Sequence, residues 1–252
     1  MDDLEHAVRN AAALWTALAE ARGNDYVRTD GLLVVEGGRR GRRVMLLTGE
    51  PAEDDVAEAA RQATLPSQGG VTVEDSFGTV DLAAQGLVKR QLAVMIRHPA
   101  PLPSLKPSAV SVSEIGRPDL LAVVERIGVD GFPLETFQPY EQGAAFPAGL
   151  LEHGDLPHPP PRARFFLAEW DGAPAGITVT VEADGVAGVY WVTTLPDYRS
   201  RGIARAMMYT VLEHYADRPA TLTSATAARP LYESLDFQLL TMANWWIGAA
   251  AH

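Results

Sequence analysis

Leu4, Val8, Ala11, Trp15 and Leu18 recur at three- and four-residue spacing, so the chain opens on an amphipathic helix. Two β-rich runs follow, GLLVVE (31–36) and RRVMLL (42–47), and the GGRRG between them predicts a hairpin. Glu53, Asp54 and Asp55 place acid in the first turn of a second helix, as the helix dipole prefers. VTVED (71–75), a short helical stretch and LVKRQLAVMIR (87–97) complete a small mixed unit. HPAPLPSLKPS (98–108) has four prolines and no periodicity, which predicts a semi-rigid linker.

Past the linker, AVSVSEI (109–115) is a predicted strand, and Leu120, Val123, Val124 and Ile127 mark a helix. A second helical region is expected over about 135 to 152, then a proline-rich loop, HGDLPHPPPRAR. Three strands follow, ARFFLAEW (163–170), APAGITVTVEA (173–183) and GVAGVYWVTTL (185–195), joined at Asp171-Gly172 and Asp184-Gly185 by tight antiparallel turns. Ile203, Met207, Val211 and Tyr215 share one helical face; PATLTSA (219–225) is a strand, AARPLYESL a helix and FQLLTMANWWIGA the last strand. No internal repeat stands out, although both halves run from helix to hairpin. The expected organisation is a small α/β domain (1–97), the linker (98–108) and a larger domain (109–252) with a mixed, mostly antiparallel sheet flanked by helices.

TTLPDYRSRGIAR (193–205) joins the third of those strands to its helix, and it sets Arg199, Arg201 and Arg205 at a helix start. Helix starts favour negative charge, so a cationic first turn costs stability unless an anion sits there. Gly202 lets the backbone approach a phosphate, Ala204 keeps the next turn slim, and the free N–H groups point outward. A pyrophosphate cradle fits these residues; so does a glycine-assisted helix start with its arginines in solvent. The nucleotide-hydrolase loop GxxxxGK[ST] and the dinucleotide motif GxGxxG are both missing.

The stretch V-x-x-x-P-D-Y-R-S-R-G-I-A, between strand and amphipathic helix, closely resembles the acetyl-CoA-binding motif of the GNAT superfamily of N-acetyltransferases, R/Q-x-x-G-x-G/A, matched by Arg199, Gly202 and Ala204. A-x-x-L-Y-E-S-L-x-F, from Ala228 through Leu231 and Tyr232 to Phe237, is similar to the family's penultimate helix and the start of its last strand. The element order from 109 to 248 is also the family's. The resemblance implies acetyl-CoA as donor and a small-molecule or protein amine as acceptor. It further implies that the backbone of Val192, Thr193 and Thr194 pairs with the pantetheine amides. Ser200, Arg201, Gly202, Ile203, Ala204 and Arg205 would then cradle the pyrophosphate, with Tyr232 as general acid at the sulfur. Two positions depart from the pattern: Ala225 stands where an Asn often contacts the cofactor, and Asp236 replaces the glycine of L-G-F. Residues 1–97 lack a cofactor signature and resemble the degenerate partner units fused to some bacterial members.

A base for the amine is not evident. The central strand has no carboxylate, and Glu169, Glu182 and Asp184 read as solvated strand-end charges, so the base is left unassigned, with ordered water as one option. That gap and Ala225 keep a non-catalytic acyl-CoA-binding regulatory module in view. Phe132, Phe137, Tyr140 and Phe146 fall where, by the resemblance, an acceptor wall forms; of Trp245 and Trp246, at most one faces a given cleft. Arg39, Arg40, Arg42 and Arg43 read as a solvated turn or, as the minor reading, an anion site. His153, His158 and His214 lack neighbouring ligands, so no metal is expected.

Composition narrows the partners. At 252 residues, 47% apolar and 21% charged, the chain is that of a globular protein with a real core. The absence of cysteine excludes disulfides and thiolate nucleophiles. A net charge of −11 opposes general nucleic-acid binding, and no apolar run is long enough for a membrane span. With no basic-then-apolar leader, the expectation is a cytoplasmic monomer or homodimer.

Overall fold

The computed structural model describes residues 2–104, 109–132, 135–151 and 162–250. The first half holds helix α1 (Asp3–Arg22), strands β1 (Tyr26–Arg28), β2 (Leu32–Glu36) and β3 (Arg42–Leu46), helix α2 (Glu53–Thr64), and strands β4 (Val71–Asp75) and β5 (Val88–Arg97). The second holds β6 (Val110–Ile115), α3 (Pro118–Gly131), β7 (Arg162–Trp170), β8 (Ala173–Ala183), β9 (Val186–Thr194), α4 (Ile203–His214), β10 (Ala220–Ser224), α5 (Arg229–Glu233) and β11 (Gln238–Gly248). Asp171, Gly172, Asp184 and Gly185 all take positive φ, the twist-matched turn expected of Asp-Gly hairpins.

All the strands join one sheet of order β1-β2-β3-β4-β11-β5-β10-β9-β8-β7-β6. In each half an antiparallel run ends in a helical crossover to a parallel strand: β3-α2-β4 in the first, β9-α4-β10 in the second. Each half is then completed by the other's last strand. β11 pairs antiparallel with β4, β5 pairs antiparallel with β10, and the two meet in the centre. A repeat invisible in sequence is therefore plain in topology, and a single sheet takes strands from both sides of the predicted linker (98–108).

Helix α1 is buried far beyond its predicted stripe: Ala7, Val8, Asn10, Ala12, Ala13, Leu14, Ala17, Leu18 and Ala19 are all covered. The reason is its position across both halves, packed on β8 and β9 as well as β2, β5 and β11. Its small alanines let it settle close to the sheet. Asn10 is fully buried; its amide donates to the carbonyls of Val181, Ala183 and Val186 at 3.0–3.1 Å, and its Oδ1 accepts from Tyr190 Oη at 2.6 Å.

The expected helical region over about 135 to 152 is not a helix. Its described part has single turns at Glu135–Phe137 and Ala148–Leu150, and the rest is loop. Pro139, Gly143, Pro147 and Gly149 interrupt helical bonding. The loop bonds instead to Glu125, a fully buried carboxylate on α3 that accepts from Tyr140 Oη and the N–H groups of Gly143, Ala145 and Phe146. Glu125→Gln should therefore loosen this loop, because an amide must turn a donor toward donors. About 2–4 kcal/mol of stability is expected to go, measurable by urea denaturation.

Candidate active site

The site begins at a bulge. Ile177 pairs with Thr193 and Val179 with Tyr190, so Trp191 and Val192 together face Thr178 alone. Trp191 sits at φ +48°, and a bulge bends its strand. β9 consequently pairs with β10 only over Ala187–Val189, and beyond that the two part. A cavity of about 880 Å³ fills the opening, lined by Val189–Thr194 on one side and Leu222–Ala225, Ala227, Ala228 and Tyr232 on the other. Val192, Thr193 and Thr194 thus stand where β9 has parted from β10.

At the end of β9 the chain reverses through Pro196–Tyr198 into α4. Ser200 and Gly202 both take positive φ, at +62° and +82°. Ala206 gives the first bond of the α4 ladder to the Gly202 carbonyl, leaving the N–H groups of Ile203, Ala204 and Arg205 ahead of it. A Cβ at Gly202 would meet nothing within 4 Å, so this corner is open space over bare backbone.

The three arginines do more than wait for an anion. Arg199 donates to the carbonyls of Thr194 and Gly131 at 3.4 Å, tying strand end to helix end. Arg201 lies over Trp170 and Tyr198, and Arg205 donates to Ser234 Oγ at 2.8 Å. None pairs with a carboxylate among the described residues, so their charge stays unneutralised at the helix start. The other half supplies the contrast: α2 occupies the corresponding crossover with Glu53, Asp54 and Asp55 in its first turn, and β3 stays paired with β4 as far as Met45. One crossover therefore favours an anion and is open; its counterpart repels one and is closed.

Tyr232 is buried, stacked edge-on against Phe237, and lines the cavity; its hydroxyl has no hydrogen-bond partner among the described residues. Burial pushes the phenol up to about 12, so it holds its proton throughout the neutral range. Asp236 takes φ +65°, the glycine-like conformation its position called for. Ala225 lines the cavity where a longer side chain would reach inward.

The remaining candidates separate cleanly. Glu182 pairs with Arg218 at 2.7 Å, Asp184 sits in a turn, Glu169 lies on β7, and none of these lines the cavity. Its carboxylate among the described residues is Glu74, in contact with Arg43. Phe132 and Phe137 line it, whereas Tyr140 and Phe146 pack into the core on α3's side. Trp245 faces the cavity and Trp246 the opposite core, as alternation along a strand requires. His153 and His158 lie outside the described residues; His214 packs on Phe166 and Tyr215. No group of three metal-ligating side chains occurs among the described residues. No described helix is long and apolar enough to cross a membrane.

The arginine knot corrects the sequence reading. Of the four only Arg39 is exposed; Arg42 is buried, bonded to Glu36 and to the carbonyls of Gln62, Leu65 and Pro66. Arg43 lies flat on Trp15, 3.7 Å from the ring centre. Burial, then the neighbouring Arg22, pull Arg43 down to about 9, and the guanidinium stays charged at neutral pH. Period and composition cannot show this, because the groups that cover Arg42 and Arg43 come from the end of α2, from α1 and from β4.

Residues 161–239 match the family model described as the acetyltransferase (GNAT) domain. No curated protein matches the chain. Among solved structures, it is similar to a GCN5-related N-acetyltransferase from Kribbella flavida, at 17% identity over 98% of this chain and 96% of that one, TM-score 0.63. A putative GNAT-family acetyltransferase from Novosphingobium aromaticivorans is 16% identical, with both chains fully covered and a TM-score of 0.58. A tandem GNAT protein from the clavulanic acid biosynthesis pathway is 18% identical over 90% of this chain and 82% of that one, TM-score 0.54. At such identities the likeness speaks for the fold.

Proposed function

We propose that this chain, whose residues 161–239 form a GNAT acetyltransferase domain, is an acetyl-CoA-dependent N-acetyltransferase acting on a primary amine of a small molecule or protein. The observation that carries this reading is the continuity of one cavity, from the parted strands β9 and β10 to a buried, protonated tyrosine, beside an open cationic helix start. A pantetheine chain needs an unpaired strand edge and a pyrophosphate needs unneutralised donors; both are present, so the donor fits.

Bound there, acetyl-CoA would supply an acyl thioester, and direct attack by the amine in a ternary complex would complete the transfer. Val192, Thr193 and Thr194 offer backbone groups to the pantetheine arm. The free N–H groups at Ser200–Arg205, with Arg199, Arg201 and Arg205, offer charge-assisted hydrogen bonds to the pyrophosphate. Tyr232 holds a proton at Oη beside the place for the sulfur. A thiol's ordinary pKa is about 8.5, well below this phenol's, so hydrogen bonding to developing thiolate is the larger part of the help. Ordered water takes the amine's proton, since Glu74 is occupied by Arg43. We read residues 1–97 as a partner unit roofing the acceptor end, 98–108 as the connection and 109–252 as the catalytic unit. The whole works in the cytoplasm as a monomer or homodimer, without metal, membrane or nucleic acid.

Tyr232→Phe tests the assignment. A hydrogen bond to a charged group is worth about 1.5–3 kcal/mol, so kcat should fall roughly 10- to 150-fold with coenzyme A affinity nearly unchanged. Unchanged kcat would remove the tyrosine from the chemistry. The pH profile adds a second check. The protonated phenol is the active form and is lost only as pH rises through about 12, so kcat should stay level between pH values of about 9 and 10.5. A decline centred on the ordinary tyrosine value of 10.0 would contradict the assignment.

The second reading, a non-catalytic acyl-CoA-binding regulatory module, draws on Ala225 and on the lack of a free carboxylate in the cavity. Tight binding of acetyl-CoA with no amine ever modified would favour it.

A further inference from the structure

The cavity does not end at Tyr232. It runs on beneath α1 to the turn between β2 and β3, where Leu14, Trp15, Leu18 and Phe137 form apolar walls. Its charged lining is five arginines against one carboxylate. Three of the five have their charge or geometry accounted for. Arg42 is bonded to Glu36, Arg43 forms an ion pair with Glu74, and Arg199 holds the strand end at the donor side.

Arg22 and Arg40 remain. Arg22 donates one Nη2 bond to the Ala145 carbonyl, and its buried Nε has no partner. The Arg40 side chain makes no hydrogen bond or ion pair among the described residues. Both guanidiniums lie against the same Phe137 ring, 5.4 and 5.0 Å from its centre. Two like charges gathered at the apolar end of a cavity repel one another, and burial makes that worse. Burial and Arg40 together lower Arg22 to about 10, with only Glu125 opposing. An arginine does not relieve such strain by losing its proton. An anion between the two does relieve it.

We propose that the acceptor amine carries a carboxylate at its far end, seated on Arg22 and Arg40 over Phe137, while its amino group points back toward Tyr232. The inference rests on the acetyltransferase reading and names its substrate class. A planar carboxylate matches the guanidinium fork, and the apolar walls between the two ends take the hydrocarbon spacer. Amines lacking the acid, and the cationic side chains of polyamines, are disfavoured by the same two charges.

Trp15, Trp191 and Trp245 line the cavity, so occupancy is readable by tryptophan fluorescence without turnover. The probes are ω-amino acids of increasing chain length, each beside its own carboxamide, and one phosphate-terminated amine. Saturable binding by acids, about tenfold or more tighter than by their carboxamides, is expected. Arg40→Gln, which breaks no hydrogen bond of the fold, should erase that preference, and Arg40→Lys should restore part of it. Equal binding of acids and carboxamides, binding by neither, or binding confined to the phosphate overturns the proposal. Mass spectrometry of the same mixtures with acetyl-CoA reads the transferase claim separately. Acids that bind but are never acetylated sink the transferase and keep the carboxylate site; carboxamides acetylated in preference to acids do the reverse.

Discussion

Gly202→Glu is expected to raise the dissociation constant for coenzyme A by about 100-fold or more, roughly 2.7 kcal/mol, with the fold retained. Two effects act together. The glutamate sets a carboxylate among N–H groups meant for a pyrophosphate, and at φ +82° it adopts a conformation that costs an L-residue about 1–2 kcal/mol. Gly202→Ala separates them, because it bears the strain without the charge. Both variants should lose similar stability by circular dichroism, yet only the glutamate should abolish binding by calorimetry. There is room for either side chain, since a Cβ here meets nothing within 4 Å. A glutamate variant that binds coenzyme A as the wild type does would mean the cradle lies elsewhere.

Asn10→Ala carries the largest expected cost in stability. The residue is fully buried and bridges α1 to the β8–β9 hairpin through three carbonyls and the Tyr190 hydroxyl. Each buried polar group left unsatisfied costs about 1–3 kcal/mol, so a loss of about 3–5 kcal/mol follows. For a chain of this size the melting temperature should drop on the order of 10 °C. Tyr190→Phe in the same background should recover part of the loss, since it removes one stranded hydroxyl; strict additivity of the two substitutions would deny their coupling. Function is linked to this bond. Leu14, Trp15 and Leu18, one to two turns along α1, form the roof of the cavity, and a loosened helix lets water into it. Gly188 belongs to the same arrangement, because a Cβ there would collide with Asn10 Oδ1 and Tyr190 Oη.

How much of this could be read from the sequence depended on distance along the chain. The Asp-Gly hairpins, the α4 face of Ile203, Met207, Val211 and Tyr215, and the arginine-glycine helix start are local, and each stood where its pattern put it. Asp236 also kept the left-handed backbone of the glycine it replaces. What escaped is non-local. The exchange of β5 and β11 between halves leaves no trace in either strand's pattern, because a strand alternates identically whichever neighbour it pairs with. Asn10 carries no mark of its burial in the local pattern, because the carbonyls that cover it come from β8 and β9, some 170 residues on. The loop after α3 departs from the expected helix because the carboxylate of Glu125, on a neighbouring element, replaces the missing helical bonds, and nothing within the loop's own sequence shows that.

The candidate site divides the same way. Its donor side was legible because strand, turn and helix are consecutive from Val186 to His214. Its other side was legible only in pieces: Phe137 and Arg40 stood out separately, Arg22 did not, and only the folded chain brings the three distant segments to one ring.

The central claim is acetyl transfer, and mass spectrometry tests it most directly. The full chain, incubated with acetyl-CoA and a broad panel of primary amines, should release coenzyme A and yield an N-acetylated product. Both should fall together in Tyr232→Phe. Acetyl-CoA that binds the wild-type chain while no amine gains an acetyl group would contradict the account.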